Sequence, residues 1–577
     1  MTQPQGALAR LMGPDATARL IPALGAALAV ALIGAPLAML LYAALRGPSD
    51  FLPFEDGAHY TLDNLRGLIS DPALVTRIVP DTLIFVAGTV ALTTTIAFAL
   101  AWLTERTDLP GRNIWFTLIV APLLVPVPVI AIAWIMLFGP NAGWANQFLR
   151  ALGGLSGEGP LNVFSMGGLI ACQSIVSAPF VFLQISAALR GMSPVLEEAA
   201  AMAGAGALTT FRRITLPVLT PGLLAPIILV TLVTFEQFEL PLIIGLPAKV
   251  NIFAFRIYTE LNPASGLPNY GAACAISLPF LALGVCSLLL YNRATRRAER
   301  FVTVTGKAAA QRRLPLGRWK DPALVLLCAY VAIAALLPLL TLVWTSLFGY
   351  APPGSVSLTA ANGQPYRNFV SDPVVWRAMG NTLVVAGLSA LVVTALGGLI
   401  AWIVARSDLP GRRALDLLSF MSLGIPAVIA GLAVMVLYLS LPIGVYGTIW
   451  ILVIAYSYRL ATTTRLAKSG LMQIHRELEE AAEMSGARWL ATQLRILIPL
   501  LAPALGSAFL VAFIIALREF TIPFILYSSE NLVLPVLVWQ LFQNGEPARS
   551  AALGVLMIAV ILPGIFALRL FLGGRKA

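Results

Sequence analysis

The chain has 577 residues, of which 58% are hydrophobic and only 11% are charged, and its mean hydropathy is +0.86. These values exclude an ordinary soluble domain and a mainly disordered chain, because both carry far more charge. The apolar runs are long and continuous, as in residues 383–404, whereas the strands of a membrane barrel alternate over about ten residues. The composition therefore predicts an all-α integral membrane protein.

Twelve apolar runs are long enough to cross a bilayer, which takes about 20 helical residues. The first six lie near 21–45, 81–104, 114–138, 164–189, 214–235 and 272–292. The other six lie near 322–348, 380–405, 415–440, 447–469, 496–517 and 549–572. The first run is longer than the core of a signal peptide, so we expect it to remain as an uncleaved span.

The net charge of +11 is distributed unequally over the loops between these spans. When the loops are assigned to alternate sides, most Lys and Arg residues fall on the side that holds both termini and segment 293–321. The positive-inside rule places that side in the cytoplasm. Anionic lipid headgroups explain the basic segment, so the bilayer is the predicted partner and nucleic acid is not.

Residues 82–112 recur 300 positions later, at 382–412. The pentapeptide DLPGR at 108–112 returns unchanged at 408–412, where Pro and Gly predict a tight turn and Arg112 and Arg412 can reach lipid headgroups. Such a repeat indicates a fused duplication. Since each half has six spans, both halves enter the membrane in the same direction, and we expect a pathway on the axis between them.

A second repeated pattern lies 282 positions apart and is shared by eight residues. They are Glu198, Ala199, Ala200 and Gly204 in the first half and Glu480, Ala481, Ala482 and Gly486 in the second. In both copies a Pro follows near the start of the next span. The glutamates suit a helix N-terminus and the glycines end a helix, so the pattern predicts a short surface helix near 197–208 and another near 477–490.

These features divide the chain into a cytoplasmic N-terminal segment and two repeated membrane domains joined by a basic cytoplasmic linker. The predicted boundaries are 1–20, 21–292, 293–321 and 322–577.

The paired pattern, with EAA, three residues, Gly, nine residues and then Ile before a Pro, closely resembles the permease subunit of a binding-protein-dependent ABC importer of the type I fold. In that family the short helix is a coupling helix that docks into a cytoplasmic ATPase. The resemblance implies two ATPase copies and an extracytoplasmic substrate-binding protein, in the inner membrane of a bacterium. The chain contains no GxxxxGK[ST] motif, so ATP and Mg are expected in the partner ATPase and this chain is not expected to be an enzyme.

The fused format resembles the ferric-iron and thiamine branches of this family, and the stretches at 101–112 and 235–248 look most like ferric-iron permeases. Ferric iron is therefore the expected cargo. Thiamine and a phosphonate-like small anion are the alternatives within the family. A twofold repeated secondary transporter is the alternative of another class, and a cation channel is a third.

Ionisable residues near membrane spans are candidate pathway residues, because an unpaired charge in hydrocarbon is costly. Glu236 and Glu239 follow one span, and Arg518 and Glu519 stand at the equivalent place in the other half. We expect Glu236 and Arg518 to approach each other as a gate, although a solvated loop at the end of the span remains open. With only two histidines in the chain, no metal site is predicted.

Overall fold

The computed structural model describes residues 16–154, 157–192, 195–298 and 314–573. Within these ranges the repetitive structure is helical, apart from strands Arg46–Gly47 and His59–Tyr60. The strands pair antiparallel with Arg46 opposite Tyr60. The all-α membrane fold is confirmed. Residues 1–15 of the predicted N-terminal segment and residues 299–313 of the predicted linker lie outside the described residues, and the domain boundaries stay predictions.

The first half contains helices of very different length. In chain order the α-helices are Ala16–Ala44, Asp63–Ser70, Val79–Arg106, Arg112–Val120, Val127–Phe138, Trp144–Gly153, Met166–Gly191, Val195–Met202, Ala207–Thr210, Leu216–Phe235, Phe253–Leu261 and Tyr270–Ala298. Single π-turns at Leu74–Ile78, Phe211–Thr215 and Pro241–Gly245, and a 3-10 turn at Ala121–Leu124, extend or connect them.

The second half largely repeats this order, but it has no counterpart of helix Trp144–Gly153 and its fourth span is interrupted. Its α-helices are Lys320–Val331, Leu337–Phe348, Gln364–Ser371, Pro373–Arg406, Arg412–Met421, Ala427–Leu439, Ile449–Tyr456, Ala461–Met472, Glu477–Met484, Trp489–Thr492, Ile498–Arg518, Thr521–Leu526, Leu534–Gln543 and Pro547–Gly573. The short turns are Gly317–Trp319, Ala332–Leu336, Leu358–Ala360, Ser422–Gly424 and Gln493–Leu497.

In the part of the chain that the structure describes, seven helices are long and apolar enough to cross a membrane, and three bent pairs raise the number to as many as ten. Several of the twelve predicted spans are therefore bent or interrupted helices. Predicted spans 114–138, 214–235 and 415–440 bend by 100°, 58° and 110°, and predicted span 447–469 is two short helices.

Proline explains the two sharpest bends. Val125 precedes Pro126 and Ile425 precedes Pro426, at equivalent places in the two halves. Both residues before proline are extended, with ψ of 134° and 109°. A residue before proline is disfavoured in the helical region because the ring contacts its backbone, so each helix ends there and a new one begins. Both X-Pro steps are visible in the sequence.

The break at 457–460 has no Pro or Gly to cause it. Instead, Tyr458 donates its hydroxyl to the Ile425 carbonyl at 3.2 Å, and Arg459 pairs with Glu519 at 2.7 Å. The equivalent helix of the first half, Met166–Gly191, runs without interruption and carries Ser177 where the second half has Arg459. Tertiary contacts made by Tyr458 and Arg459 therefore override the local helical preference.

Helices of each half pack directly against helices of the other half. Helix Ala16–Ala44 of the first half packs on Ala427–Leu439 of the second, and Leu337–Phe348 of the second packs on Val127–Phe138 of the first. Trp134 is 1% exposed and donates its indole N–H to the Ile333 carbonyl at 3.1 Å, again between halves. One continuous hydrophobic core consequently contains residues of both halves.

Gly284 and Gly424 touch backbone to backbone where the two halves meet. A Cβ at Gly284 would lie 2.2 Å from the Gly424 carbonyl oxygen, so Gly284→Ala should force the halves apart. We expect a destabilisation of about 1–3 kcal/mol, as for overpacked cores. The matched control is Gly387→Ala, also inside a helix but with open space around the added methyl. Thermal unfolding in detergent checks this, and equal melting temperatures for the two variants would contradict it.

Candidate functional site

Two short helices at equivalent positions form the first part of the site. Val195–Met202, here named the first EAA helix, and Glu477–Met484, the second EAA helix, each have eight residues. Isolated helices of this length are unstable in water, so contacts with the rest of the protein must hold them.

Both EAA helices end on the predicted glycines, which adopt left-handed backbone conformations. Gly204 has φ of 80° and Gly486 has φ of 78°. The next residue donates its N–H back to the third residue of each EAA triplet, at 2.9 Å onto Ala200 and at 3.0 Å onto Ala482. This is the hydrogen bond of a Schellman motif, which glycine favours because it has no Cβ.

The triplets alternate between outward and inward residues. Glu198, Ala199, Glu480 and Ala481 are exposed, whereas Ala200 and Ala482 are each only 8% exposed. Met202 and Met484, two residues beyond each triplet, are 86% and 89% exposed. Each EAA helix thus presents a glutamate, an alanine and a methionine on its surface, and buries one alanine against the protein.

The glutamate before each triplet binds an arginine at the end of a long span. Arg106 Nη1 lies 3.3 Å from Glu197 Oε2, and Arg406 Nε lies 3.2 Å from Glu479 Oε1. Sequence reasoning missed these glutamates because it followed the EAA pattern alone. The signal was present, since the glutamates repeat at the same spacing as the triplets and both arginines belong to the other repeat.

The two DLPGR segments are turns, as predicted. Gly111 and Gly411 have φ of 73° and 86°, and a helix begins at the next residue in both halves. Arg112 pairs with the buried Glu105, and Arg412 pairs with Asp408 at 3.2 Å. Headgroup binding by these arginines stays a prediction.

The second part of the site is the polar cluster where the two halves meet. Glu519 is 7% exposed and forms an ion pair with Arg459. Arg518 donates to the carbonyl of Leu123, which belongs to the bend of the other half. Glu239 lies close enough to Arg518 and Glu519 to interact with them electrostatically.

The expected pair of Glu236 with Arg518 is wrong. Among the described residues no ion pair joins them, because Arg518 is turned toward the Leu123 carbonyl and Glu236 faces Arg459 and Glu519. The alternative, a solvated loop, does not describe the cluster either, since Glu519 is buried.

A cavity of about 150 Å³ lies beside Glu236. Its polar lining includes Glu236, Ser389, Ser422, Tyr458, Arg459 and Glu519. The hydroxyl of Ser389 is buried without a hydrogen-bond partner. Arg459 was missed by sequence reasoning, although a charged residue inside predicted span 447–469 was itself a signal. In the described ranges no group of three or more His, Cys, Asp or Glu side chains could hold a metal ion.

Comparisons with known proteins give one consistent class. Residues 95–300 and 394–573 match the family described as "Binding-protein-dependent transport system inner membrane component", one stretch in each half. A ferric transport system permease protein of Actinobacillus pleuropneumoniae is 25% identical over 528 residues, covering 88% of this chain and 73% of that protein.

Two further relatives differ in their named cargo. An Fe(3+)-transport system permease protein of Haemophilus influenzae is 21% identical, covering 83% of this chain and 85% of its own. A sulfate transport system permease protein of Salmonella typhimurium is 28% identical, covering 35% of this chain and 70% of its own.

The left-handed glycine of the first EAA helix offers a controlled test of this geometry. Gly204→Ala places a Cβ on a residue with φ of 80°, which costs about 1–2 kcal/mol, whereas Gly206→Ala, two residues away and equally free of neighbouring atoms, does not require that conformation. We expect only Gly204→Ala to lower the melting temperature of the purified protein and the protection of backbone amides at 200–205 against hydrogen exchange. Equal effects of the two variants would contradict the Schellman assignment.

Proposed function

Because this chain belongs to the family of inner membrane components of binding-protein-dependent transport systems, we propose that it forms the whole translocation pathway of an ATP-driven importer. The two family stretches, one in each half, support a single chain that does the work of two permease subunits. Packing of each half across the other supports this as well, since the broken helix of each half packs against helices of the other half. Both termini are proposed to face the cytoplasm of a bacterial cell.

The proposed partners on the cytoplasmic side are two copies of an ATPase subunit, one for each EAA helix. The exposed surfaces of these helices support this. Methionine is a flexible and polarizable side chain that adapts to a partner surface, and Met202 and Met484 are nearly fully exposed beside Glu198 and Glu480. The ATPase would hold ATP and Mg, since the sequence has no phosphate-binding loop. A substrate-binding protein on the other side would deliver the cargo.

Ferric iron is the proposed cargo, and the charge of the cavity supports a cation. Arg459 is neutralised by Glu519, and Arg518 is directed away to the Leu123 carbonyl. The described cluster contains three acidic side chains, Glu236, Glu239 and Glu519, and two arginines, so it has one more acidic group than basic groups. An excess of acidic groups favours a cation over an oxyanion.

Sulfate is the second candidate, favoured by the relative from Salmonella typhimurium. Among the cargoes considered from the sequence, the cavity charge also disfavours a phosphonate, while thiamine, which carries a positive charge, remains compatible. The excess of acidic groups thus separates cationic from anionic cargoes and does not by itself separate iron from thiamine.

Uptake of labelled ferric iron by iron-limited cells tests the proposal. Cells with the wild-type chain should import iron, and Glu198→Lys with Glu480→Lys should abolish import at equal membrane levels, because both ATPase contacts reverse charge. If neither chain imports iron, the ferric assignment falls, and thiamine, sulfate and a phosphonate are the next labelled cargoes. If both chains import equally, the coupling assignment is wrong.

The charge of the cavity gives a separate prediction. Glu236→Gln removes the acidic group that lines the cavity with little change in shape, and we expect iron uptake to fall by about tenfold or more, because one charge–charge interaction in a protein is worth a few kcal/mol. The control is Glu530→Gln, whose side chain is 73% exposed and should leave uptake unchanged. Unchanged or faster uptake of iron by Glu236→Gln, or an equal fall in the Glu530→Gln control, would contradict a cation-selective cavity.

A further inference from the structure

Each EAA helix is attached to the end of a long span through its inward glutamate. The pair of Arg106 with Glu197 has side chains that are 2% and 22% exposed, and the pair of Arg406 with Glu479 has side chains that are 12% and 14% exposed. Ion pairs this sheltered are poorly screened by water and salt, so they restrain the two helices strongly. Their recurrence at equivalent positions indicates a common role in both halves.

In the first half the same glutamate also contacts the span that follows. Glu197 accepts a hydrogen bond from the Thr215 hydroxyl at 2.7 Å. Thr215 ends the π-turn Phe211–Thr215, from which helix Leu216–Phe235 continues. The carboxylate of Glu197 therefore joins three elements: the EAA helix, the end of the long span Val79–Arg106 and the beginning of helix Leu216–Phe235.

In the second half Arg406, and not the glutamate, makes the additional hydrogen bonds. Leu497 stands where the first half has Thr215, so no hydroxyl reaches Glu479 from that turn. Arg406 instead donates to the carbonyls of Leu471 at 3.2 Å and Ile474 at 2.5 Å, at the end of helix Ala461–Met472. The second junction thus joins the EAA helix to the preceding short helix as well as to the long span.

Aromatic contacts lie one helical turn before each arginine. Trp102 packs edge-on against Phe211 at 5.0 Å between ring centroids, and Trp402 packs edge-on against Trp489 at 5.3 Å. Phe211 and Trp489 both lie in the segment between an EAA helix and the next span. The last turns of both long spans therefore hold the EAA region through an arginine and a tryptophan.

We propose that Glu197 and Glu479 are positioning residues that transmit movement of the EAA helices to the spans through Arg106 and Arg406. This inference rests on the proposed function, in which an ATPase moves the EAA helices. In this proposal the two neighbouring glutamates of each EAA helix have different roles. Glu198 and Glu480 face outward to the partner, and Glu197 and Glu479 face inward to the spans. Without the inward pair, an EAA helix can follow the ATPase while the span does not.

The test uses membrane vesicles that contain the full chain, its ATPase and its binding protein loaded with labelled ferric iron. Glu197→Gln with Glu479→Gln keeps the shape of both side chains but removes their charge. We expect the number of ATP molecules hydrolysed per iron imported to rise by about tenfold, within the usual range of coupling energies between sites. The matched control is Glu55→Gln with Glu530→Gln, two exposed glutamates outside both EAA helices, which should keep the wild-type ratio.

Exchange of the charges separates coupling from folding. Arg106→Glu and Glu197→Arg should each raise the ratio, and the double exchange should bring it back toward wild type, because the pair is rebuilt in reverse. A wild-type ratio in the Gln variants overturns the inference while leaving the proposed function intact. So does a parallel loss of ATP hydrolysis, iron import and membrane level, which indicates a structural role alone. A wild-type chain without ATP-dependent uptake overturns the proposed function and this inference together.

Discussion

The hydrocarbon core of a bilayer offers no hydrogen-bond partner to the backbone, and this constraint determines where the polar residues of this protein lie. Each half breaks a membrane helix at an X-Pro step, and the break frees carbonyl groups that protein side chains must satisfy. In the first half Arg518 donates to the Leu123 carbonyl beside the break. In the second half Tyr458 donates to the Ile425 carbonyl within it. Much of the buried polarity at the centre is thus explained by helix breaks before any role in transport is considered.

The same constraint makes the duplicated halves unequal. Arg518 of the second half satisfies the first break from across the molecule, but its counterpart Glu236 has no proton to donate when ionised, so the second break is satisfied from within its own half by Tyr458. Predicted span 447–469 is interrupted where Tyr458 makes this bond, and at the same interruption Arg459 pairs with Glu519. The cavity is lined by Glu236 of the first half and by Arg459 and Glu519 of the second, so the proposed passage is asymmetric although the chain is a repeat.

The duplication, the helical membrane fold and the two EAA helices could be predicted from the sequence, because they depend on local patterns of hydropathy, glycine and proline. The bends at Pro126 and Pro426 also follow from a local pattern, because the residue before each proline disfavours the helical conformation. The break before Ala461 could not be derived, since it depends on what Tyr458 and Arg459 meet in space. For the same reason pseudo-symmetry suggested the wrong partner for Arg518. Residues at equivalent positions of a repeat have equivalent partners only if the side chains around them are also the same in both halves.

The two parts of the site are the opposite ends of the same helices. Helix Leu216–Phe235 begins next to Thr215, which binds Glu197, and ends next to Glu236 in the cavity. At 1.5 Å per residue such a helix extends about 30 Å, close to the thickness of the hydrocarbon core. This first-half span bends by 58° near residue 221, whereas the second-half span Trp489–Arg518 has no such bend. If the EAA helices move as proposed, a displacement of the second one is expected to reach Arg518 and Glu519 more directly, because a straight helix moves as one body and a bent one can flex at its bend.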